Sequence, residues 1–430
     1  MKKFSVGIVG AGTVGRGVVE ILTTKFSQIE TRSGITLHLK MICDKDESLK
    51  SKYPEVQFTQ DYKQVTENPE IDLVVELVGG TKIAYEIVKS AIENHKTVVT
   101  ANKALLAEKG DELFSLAKKN QVEIGYEASV AGTIPIIRSI KTGLISNDFL
   151  GVYGILNGTT NFILTKMEEE NMEYEQALET AQKLGFAEKD PTFDVEGIDA
   201  AHKLTLLASL AFDSKIETVD VSVEGITKIT KSEIQTAKQL GYRIKLLGVC
   251  KNDNNQITAR VAPTMIPLSH PIANIKNEMN AIYVETNFSG SLMFSGRGAG
   301  SLPTASAVVS DIVYYASRIF DKPNEKNFFE NNLFPKRKVL KETNRDEKFY
   351  LRFNTKDEPG VLAEISRILG NNKISISTMH QNESDSDQVE VIILTHPCNE
   401  SKLRDAIKSI DELKHIIISP TVALRVENLI

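Results

Sequence analysis

The sequence has no tryptophan, few cysteines and no long apolar run. Its three cysteines, Cys43, Cys250 and Cys398, are far apart and lack the spacing of metal ligands. An odd and sparse set of this kind argues against a disulfide scaffold and is typical of a reducing compartment. Because no apolar run reaches the roughly 18 residues that cross a bilayer, we expect no transmembrane helix and no membrane partner. The first residues lack the apolar region and cleavage site of a signal peptide, so we expect a cytoplasmic protein.

A strongly basic composition is also missing. The formal net charge is −6, which gives no electrostatic footprint for nucleic acid, so we expect no nucleic-acid partner. The chain is long, however. Its 430 residues exceed what one hydrophobic core usually serves, and we therefore expect two or three domains.

A glycine-rich loop close to the start carries a specific motif. Phe4–Val9 is rich in Val and Ile and predicts a buried strand, and a helical pattern runs from Val14 to about Thr24. Between them lies G-x-G-x-x-G, the dinucleotide-binding loop in its required place between strand and helix. Its glycines allow a tight turn and a close approach of the backbone to a pyrophosphate, and the helix N-terminus attracts the phosphates. Unless the loop is only a structural turn, it predicts cofactor contacts at Gly10, Gly12, Thr13, Val14 and Gly15.

The second predicted strand, Leu37 to Cys43, is followed by Asp44 and Lys45. An acid at this place usually binds the adenine ribose and favours NAD, whereas a basic residue suits the 2′-phosphate of NADP. The pair therefore leaves NAD and NADP both open. Asp44 comes later in the chain than is usual, and we interpret segment 26–34 (FSQIETRSG) as an extended insertion that accounts for the delay.

Alternating strand and helix patterns continue to Gly125 and predict a parallel, doubly wound sheet. The strands are expected at Asp72–Leu77, Lys96–Val99 and Val122–Gly125, and the helices at Ile83–Asn94 and Leu105–Lys119. Lys103 follows one of these strands. Because ligands bind at the carboxyl ends of the strands in such sheets, Lys103 is either a ligand-binding residue or a surface lysine that begins a helix.

Small residues dominate the stretch from Glu127 to Pro135, where the alternation stops. A carboxylate followed by such a loop can direct backbone carbonyl groups at a cation. The same composition suits a hinge between domains, and the residues alone favour the hinge.

A second glycine-rich stretch, Ser295–Thr304 (SGRGAGSLPT), opens a predicted helix that extends to about Ile319. Glycine at this density indicates that the backbone approaches another group closely. We expect that group to be the nicotinamide end of the cofactor, which would return the helix to the first domain. The alternative is a flexible crossover.

The stretch Ala181–Lys203 combines several acids with a helical pair of opposite charge. Asp199 and Lys203 are four residues apart, so a helix places both side chains on one face. A rigid loop of acids that leads into such a pair suits a small substrate with an amine and a reacting oxygen. The alternative is a solvated loop followed by an ordinary surface ion pair. The loop acids are Glu188, Asp190 and Asp194, of which we expect the last two to shape the loop.

The last segment, Phe349 to Glu427, predicts a unit of its own. Its patterns follow the order β-α-β-β-α-β, the ferredoxin-like arrangement. The strands are expected at Phe349–Phe353, Ile374–Gln381, Val389–Thr395 and Val422–Val426, and the helices at Val361–Asn371 and Lys402–Ser409. Residues 323–346 are rich in Asn, Lys and Glu, and we interpret them as a linker.

Several blocks of the sequence together resemble the homoserine dehydrogenase family. The blocks are A-x3-G-F-A-x2-D-P-x2-D-V-x-G-x-D-x3-K at 181–203, GILNGTTN at 154–161, VTANK at 99–103 and GAG at 298–300. The resemblance covers the whole chain, and its tail resembles an ACT domain, whose usual task is to bind an amino acid. The resemblance implies the reversible NAD(P)H-dependent reduction of L-aspartate 4-semialdehyde to L-homoserine in threonine and methionine biosynthesis.

The resemblance also implies roles for single residues. Lys203 matches the catalytic lysine of the family, a proton donor and acceptor, and Lys103 matches its partner beside cofactor and substrate. Glu188 and Asp199 match acids that hold the substrate. The remaining matches are to the nicotinamide end of the cofactor, Gly185 and Gly300, and to a site for a monovalent cation (sodium or potassium), Glu127, Val130, Gly132 and Ile134.

The implied α/β architecture has three parts. A Rossmann-type doubly wound sheet is expected from residues 1–132 with about 300–322, an α+β catalytic and dimerisation domain from 133–299, and a ferredoxin-like ACT domain from 347–430. We expect a homodimer or homotetramer, with threonine as the candidate effector at the ACT domain. Removal of the residues after Asn344 is expected to spare the active site.

Two other functions compete with this one. The first is an amino-acid sensor in which the tail binds the ligand and the nucleotide-binding half is inactive. The joint presence of Lys103, Asp199 and Lys203 argues against it. The second is a dehydrogenase for a different small amino-acid aldehyde or hydroxy acid.

Overall fold

The computed structural model describes residues 3–253, 256–321, 335–337, 339–340, 346–381 and 387–427. Most of the predicted linker, 323–346, lies outside the described residues. Two β-sheets organise the described parts of the chain, one of six strands and one of twelve. No helix within these ranges is long and apolar enough to cross a membrane.

The six-stranded sheet is built by the first third of the chain. Its strands are β1 (Lys3–Val9), β2 (Thr36–Cys43), β3 (Gln57–Thr59), β4 (Leu73–Glu76), β5 (Thr97–Thr100) and β6 (Ile124–Gly125). The helices that connect them are α1 (Thr13–Thr24), α2 (Phe26–Ser33), α3 (Ser48–Lys52), α4 (Lys63–Thr66), α5 (Lys82–Glu93) and α6 (Lys103–Lys119). All strand pairs are parallel, in the order β3-β2-β1-β4-β5-β6. This is the strand order of dinucleotide-binding α/β proteins, so the predicted doubly wound sheet is confirmed.

The segment that we expected to be an extended insertion is a helix. Phe26–Ser33 forms α2, which ends at Gly34 with a left-handed φ of 73°. None of its residues is buried, and the apolar periodicity that marks a packed helix is therefore weak. The prediction of an extended segment was wrong, but the helix does account for the late position of Asp44.

The middle of the chain builds most of the second sheet. Its strands are β7 (Phe149–Ile155), β8 (Ser222–Val223), β9 (Tyr242–Asp253), β10 (Gln256–Pro267), β11 (Met279–Thr286) and β12 (Gly290–Arg297). Its helices are α7 (Ile136–Arg138), α8 (Gly158–Glu169), α9 (Tyr174–Lys183), α10 (Thr192–Val195), α11 (Ile198–Ala211), α12 (Lys231–Gln239) and α13 (Ser301–Asp321). The longer strands pair antiparallel in the order β12-β11-β7-β9-β10. Buried side chains of α8 and α11, such as Ile163 and Leu204, pack with the sheet in one hydrophobic core.

The C-terminal segment forms the predicted ferredoxin-like unit. Its elements are β13 (Val339–Leu340), β14 (Asp346–Lys356), α14 (Val361–Asn371), β15 (Ile376–Gln381), β16 (Gln388–Thr395), β17 (Cys398–Asn399), α15 (Glu400–Asp411) and β18 (Ile417–Val426). The four long strands lie in the order β18-β14-β16-β15. Both helices pack over one hydrophobic core, which includes Ile365 and Leu403.

The second sheet continues from the middle domain into the C-terminal unit, which the sequence did not predict. β18 pairs in parallel with β10, where Thr264 and Met265 face Arg425 and Val426. Buried charges cluster at this junction. Arg260 on β10 forms ion pairs with Glu347 at 3.0 Å and with Glu427.

Helix α13 returns to the first sheet, as the glycine-rich stretch before it predicted. Its buried residues Ala305, Val308 and Ile312 belong to the same core as Val6 and Val18. A helix that follows the middle domain in the chain therefore packs, together with α1, on the nucleotide-binding sheet.

Candidate active site

Two lysines from different parts of the chain meet one carboxylate. Asp199 Oδ1 lies 3.0 Å from Lys103 Nζ, and Asp199 Oδ2 lies 2.8 Å from Lys203 Nζ. Lys203 also donates to the carbonyl oxygen of Leu156 at 2.8 Å. The Asp199 side chain is only 6% exposed and that of Lys203 only 11%. The structure thus joins the three residues that the sequence singled out, and their contact is not an ordinary surface ion pair.

Local structure explains why these side chains converge. Asn102 caps α6 through its side chain, so Lys103 is the first residue of a helix at the carboxyl edge of the sheet. Gly197, with a left-handed φ of 81°, turns the chain into α11. Asp199 lies in the first turn of that helix, and the i,i+4 spacing stacks Lys203 on the same face.

The charge of Asp199 follows from its neighbours. Burial acts to raise the pKa of this carboxyl, but Lys203 and Lys103 outweigh burial and hold the pKa below its ordinary value of 3.8. The stability that this ionised group contributes is therefore fully present above pH 3.8 and is lost as the pH falls through the lowered pKa. An ammonium has three N–H donors, and Lys203 uses two of them on Asp199 and Leu156. No described residue accepts from the third donor, which leaves it for a ligand.

Asn157, the N-cap residue of α8, hydrogen-bonds to Asp199 and to Asp194. Its Nδ2 donates to Asp199 Oδ2 at 2.9 Å and to Asp194 Oδ1 at 2.7 Å, and its Oδ1 accepts from the Thr160 N–H at 2.8 Å. Asn157 therefore caps α8 through its side chain, while its bonds to two carboxylates carry no sequence signal. Asp194 was expected only to shape its loop. The structure places it beside Asp199, where burial raises its pKa.

The glycine loop has the geometry that its motif predicts. Gly10 has a left-handed φ of 95°, and a Cβ there would lie 2.7 Å from the carbonyl of Leu77. A Cβ on Gly15 would lie 2.2 Å from the Gly10 carbonyl oxygen. No described atom lies within 4 Å of a Cβ built on Gly12. The backbone at Gly12 is therefore open on the side that a pyrophosphate would approach, next to the N-terminus of α1 at Thr13.

Asp44 lies directly after β2 and beside this loop. Its Oδ2 accepts from the Ala11 N–H at 2.5 Å, and its Oδ1 accepts from the Asp46 N–H at 2.9 Å. Lys45 is exposed, and Arg16 on α1 pairs with Asp46 at 2.7 Å. The end of β2 therefore presents two acids, Asp44 and Asp46, and two basic groups, Lys45 and Arg16, where the adenine ribose binds in such sheets.

Comparison with known proteins identifies the family. Family models described as "Homoserine dehydrogenase, NAD binding domain" and "Homoserine dehydrogenase" match residues 10–127 and 135–313. The homoserine dehydrogenase of Pseudomonas aeruginosa is 42% identical over 434 residues, which is 100% of both chains. The chain belongs to the homoserine dehydrogenase family. It is an NAD(P)-dependent oxidoreductase, and a third family model, "ACT domain", matches residues 349–415.

Other relatives agree over the full length. The homoserine dehydrogenase of Bacillus subtilis is 38% identical over 422 residues, 96% of each chain. A homoserine dehydrogenase crystal structure from Thiobacillus denitrificans has a TM-score of 0.93 and 40% identity, with 99% of both chains covered. A hyperthermophilic archaeal homoserine dehydrogenase mutant in complex with NADPH has a TM-score of 0.62 and 26% identity, with 74% of this chain and 98% of that one covered.

Three further residues implied by the family resemblance lie outside the lysine cluster. Glu188 is exposed, and its side chain has no hydrogen bond or ion pair with the residues that the structure describes. Gly185 has a left-handed φ of 77° and open space around it, and Gly300 has a φ of 120° just before α13. Their roles toward substrate and nicotinamide stay predictions.

The loop that matches the family's cation site has Glu127 at its start. This carboxylate is 3% exposed, and its oxygens accept from the backbone N–H groups of Ile137 at 2.8 Å and Arg138 at 2.9 Å. Burial, and next the nearby Asp311, raise the pKa of Glu127 to about 7. A cation beside this carboxylate would favour its ionised form, so the electrostatics of the site suit one.

Backbone oxygens complete the same loop. Ala131 and Gly132 have left-handed φ values of 54° and 57°, which turn the chain sharply after Val130. No described N–H group donates to the carbonyls of Val130 or Gly132, whereas that of Ile134 accepts from Ile136 at 2.8 Å. An all-oxygen donor set is what a hard cation prefers. Within the described ranges, no cluster of three or more His, Cys, Asp or Glu side chains could hold a metal ion.

Replacing Gly12 with alanine is expected to weaken NADPH binding by about tenfold to a hundredfold without loss of stability. The added methyl meets no described atom, so it fits the free protein but blocks the approach of the pyrophosphate. Isothermal titration with NADPH and thermal melting measure the two effects separately. Gly10→Ala is the matched control, because its methyl would overlap the backbone of Leu77 and lower the melting temperature. Unchanged NADPH affinity in Gly12→Ala would contradict this role of the loop.

Proposed function

We propose that Lys203 gives and takes the proton in the reversible reduction of L-aspartate 4-semialdehyde to L-homoserine. One observation carries the proposal. The Lys203 side chain is only 11% exposed, and its ammonium is fixed by Asp199 and the Leu156 carbonyl, with one N–H donor that no described acceptor uses. A positioned ammonium beside a reacting oxygen can both stabilise negative charge on it and protonate it.

The reaction follows from this arrangement. The reduced nicotinamide, when bound, supplies a hydride to the aldehyde carbon. As the C=O π bond breaks, its electron pair moves to oxygen, and Lys203 transfers a proton to form the hydroxyl of homoserine. Asp199 keeps the ammonium in place, and Lys103, its other ion-pair partner, adds positive charge at the cluster. In homoserine oxidation the proton and the hydride move in the opposite directions.

The substrate's amino-acid end requires acids. We propose that Glu188 and Asp199 bind its ammonium or position its hydroxyl, with Lys103 beside both substrate and cofactor. Glu188 lies in the loop that precedes α10, and its exposed side chain is available to a ligand. Gly185 and Gly300 are proposed to leave room for the nicotinamide.

For the cofactor we propose NADPH or NADH. The archaeal relative was solved with NADPH, which supports use of the phosphorylated form. Here Lys45, which directly follows Asp44, and Arg16, which pairs with Asp46, are the basic groups proposed to meet a 2′-phosphate, while Asp44 suits the free ribose hydroxyl. The contacts proposed for the pyrophosphate are those of the glycine loop, Gly10, Gly12, Thr13, Val14 and Gly15.

A monovalent cation, sodium or potassium, is proposed at the loop that begins with Glu127. Its ligands would be the Glu127 carboxylate and the carbonyls of Val130, Gly132 and Ile134. The left-handed turn at Gly132 and the buried carboxylate support the assignment. A bound cation would hold the segment that connects the first sheet to α7.

The wider setting is proposed on the family alone. We propose a cytoplasmic homodimer or homotetramer in threonine and methionine biosynthesis, with threonine as the candidate effector at the ACT domain. We also keep the division into a nucleotide-binding domain (1–132 with 300–322), a catalytic and dimerisation domain (133–299), a linker (323–346) and the ACT domain (347–430).

Absorbance of NADPH with aspartate semialdehyde as substrate tests the proposal directly. We expect turnover with this aldehyde, and oxidation of homoserine but not of malate and only poorly of serine, because the site pairs acids for an amine with a lysine for the hydroxyl. Side-by-side rates with NADH and NADPH, in sodium and in potassium, determine cofactor and cation. Equal rates with malate and homoserine would show that the acids do not select an amino acid.

A further inference from the structure

Asn280 is buried beside the carbonyl group that binds Lys203. It lies on β11 and is 0% exposed. Its Nδ2 donates to the carbonyl oxygen of Leu156 at 3.0 Å, and the same oxygen accepts from Lys203 Nζ at 2.8 Å. Two donors therefore share one carbonyl oxygen, and one of them is the ammonium that we assign to proton transfer.

The position of Asn280 is fixed from the opposite side by the second glycine loop. A Cβ built on Gly298 would lie 2.2 Å from both Cγ and Nδ2 of Asn280, so only glycine leaves room for this amide. Gly298 is itself held by the cation loop. A Cβ on Gly132 would lie 2.6 Å from the Gly298 carbonyl carbon, and the Thr133 N–H donates to Arg297 at 3.2 Å. The amide therefore has little freedom to turn away from Leu156.

Packing alone does not account for an asparagine here. Asn280 Oδ1 has no hydrogen-bond partner among the described residues, and a buried unpaired oxygen lowers stability. An apolar side chain of similar size would avoid that cost. The donor that Asn280 directs at Leu156 is therefore the feature that distinguishes it from a packing residue.

We propose that Asn280 is a positioning residue that tunes proton release by Lys203 through the Leu156 carbonyl. The inference rests on the proposed proton role of Lys203. Because the carbonyl is shared, its bond to the ammonium is weaker than an unshared bond would be. The partly positive amide group and the ammonium also donate to the same oxygen atom, which makes them neighbours. Both effects oppose Asp199, which favours the protonated form, and thereby ease transfer of the proton to the substrate oxygen.

The pH profile of kcat/KM for homoserine oxidation tests the proposal in the full-length enzyme. Lys203 must accept a proton in this direction, so the rate falls on the acid side of the profile. We expect Asn280→Ala to move the midpoint of this acid limb upward by about 0.5–1 pH unit, the effect of one altered hydrogen bond. Asn280→Asp keeps the size of the side chain and adds negative charge, so its midpoint should move further in the same direction.

Asn161→Ala is the matched control. Asn161 is similarly buried. Its Nδ2 donates to the carbonyls of Met279 at 3.0 Å and Ile275 at 3.3 Å, and its Oδ1 accepts from Lys245 at 2.7 Å, but no hydrogen bond in the described structure joins it to Leu156 or Lys203. Asn161→Ala should lower the melting temperature and leave the midpoint of the acid limb unchanged.

The possible results separate the two proposals. A uniformly lower kcat/KM with unchanged midpoints in both Asn280 variants would overturn the positioning role and leave the role of Lys203 intact. An acid limb that persists in Lys203→Met would overturn both. Thermal melting confirms that each variant is folded, and if Asn280→Ala fails to fold, the isosteric Asn280→Asp decides the question.

Discussion

Replacing Lys203 with methionine is expected to lower kcat by about two to four orders of magnitude in both directions of the reaction, because a positioned acid–base group usually accelerates a reaction by that factor. Methionine has nearly the same length but no N–H, so the alkoxide that forms during reduction receives no proton from this position. Asp199 also loses one of its two ammonium partners. The measurement is the rate of NADPH oxidation at saturating aspartate semialdehyde, together with thermal melting.

Lys183→Met is the control for this experiment. Lys183 forms an i,i+4 ion pair with Glu179 at 2.7 Å, but both side chains are mostly exposed, at 70% and 63%. An exposed pair contributes little, so this variant should keep the wild-type rate. If a folded Lys203→Met enzyme keeps more than about a tenth of the wild-type rate, the loss of rate is smaller than the loss of a positioned acid–base group would cause. Lys103 would then become the candidate proton donor.

Deleting the chain from residue 341 onward is expected to destabilise the catalytic domain, whereas the sequence led us to expect that removal of the residues after Asn344 spares the active site. The deletion removes β18, which pairs with β10, and removes Glu347 and Glu427, the ion-pair partners of Arg260. Removing the partners of a buried charge typically costs about 3–5 kcal/mol. For a domain of this size we expect the melting temperature to fall by about 10 °C, with part of the protein insoluble.

Arg260→Met in the truncated chain is the test of this cause. Methionine removes the unpaired buried charge and keeps an apolar side chain at this position. The truncated chain with Arg260→Met should therefore regain part of the lost melting temperature. In the full-length chain the same substitution should destabilise, because among the described residues Glu427 would then keep only Lys251 as its ion-pair partner, at 2.8 Å. A truncated chain as stable as the full-length protein would show that the ACT domain is an independent module.

The residues at the centre of the site could be predicted because their chemistry is encoded locally. Lys203 and Asp199 are one helical turn apart, and Lys103 directly follows a buried strand, so spacing predicts the helical pair and the sheet edge. The glycine loop is equally local. The contact between Lys103 and Asp199 depends on how the two parts of the chain pack, and only the family resemblance implied it.

What could not be predicted depends on contacts between distant segments. The parallel pairing of Thr264 with Arg425 joins strands from two domains, and no periodicity in either strand indicates its neighbour. Asn157 and Asn280 are neutral amides whose partners, Asp194 and the Leu156 carbonyl, come from other elements. Helix α2 was missed for a different reason, since only two of its eight residues, Phe26 and Ile29, are large and apolar and none of the eight is buried.

The return of α13 to the first sheet has a consequence for synthesis on the ribosome. Val6 and Val18 emerge early, but Ala305, Val308 and Ile312, which complete their core, come only after the middle domain in the chain. Until these residues leave the exit tunnel, part of one face of the nucleotide-binding sheet stays uncovered, in a state that is prone to aggregation. The amino-terminal part of the chain is therefore made first but finishes folding only after about three quarters of the polypeptide has been translated.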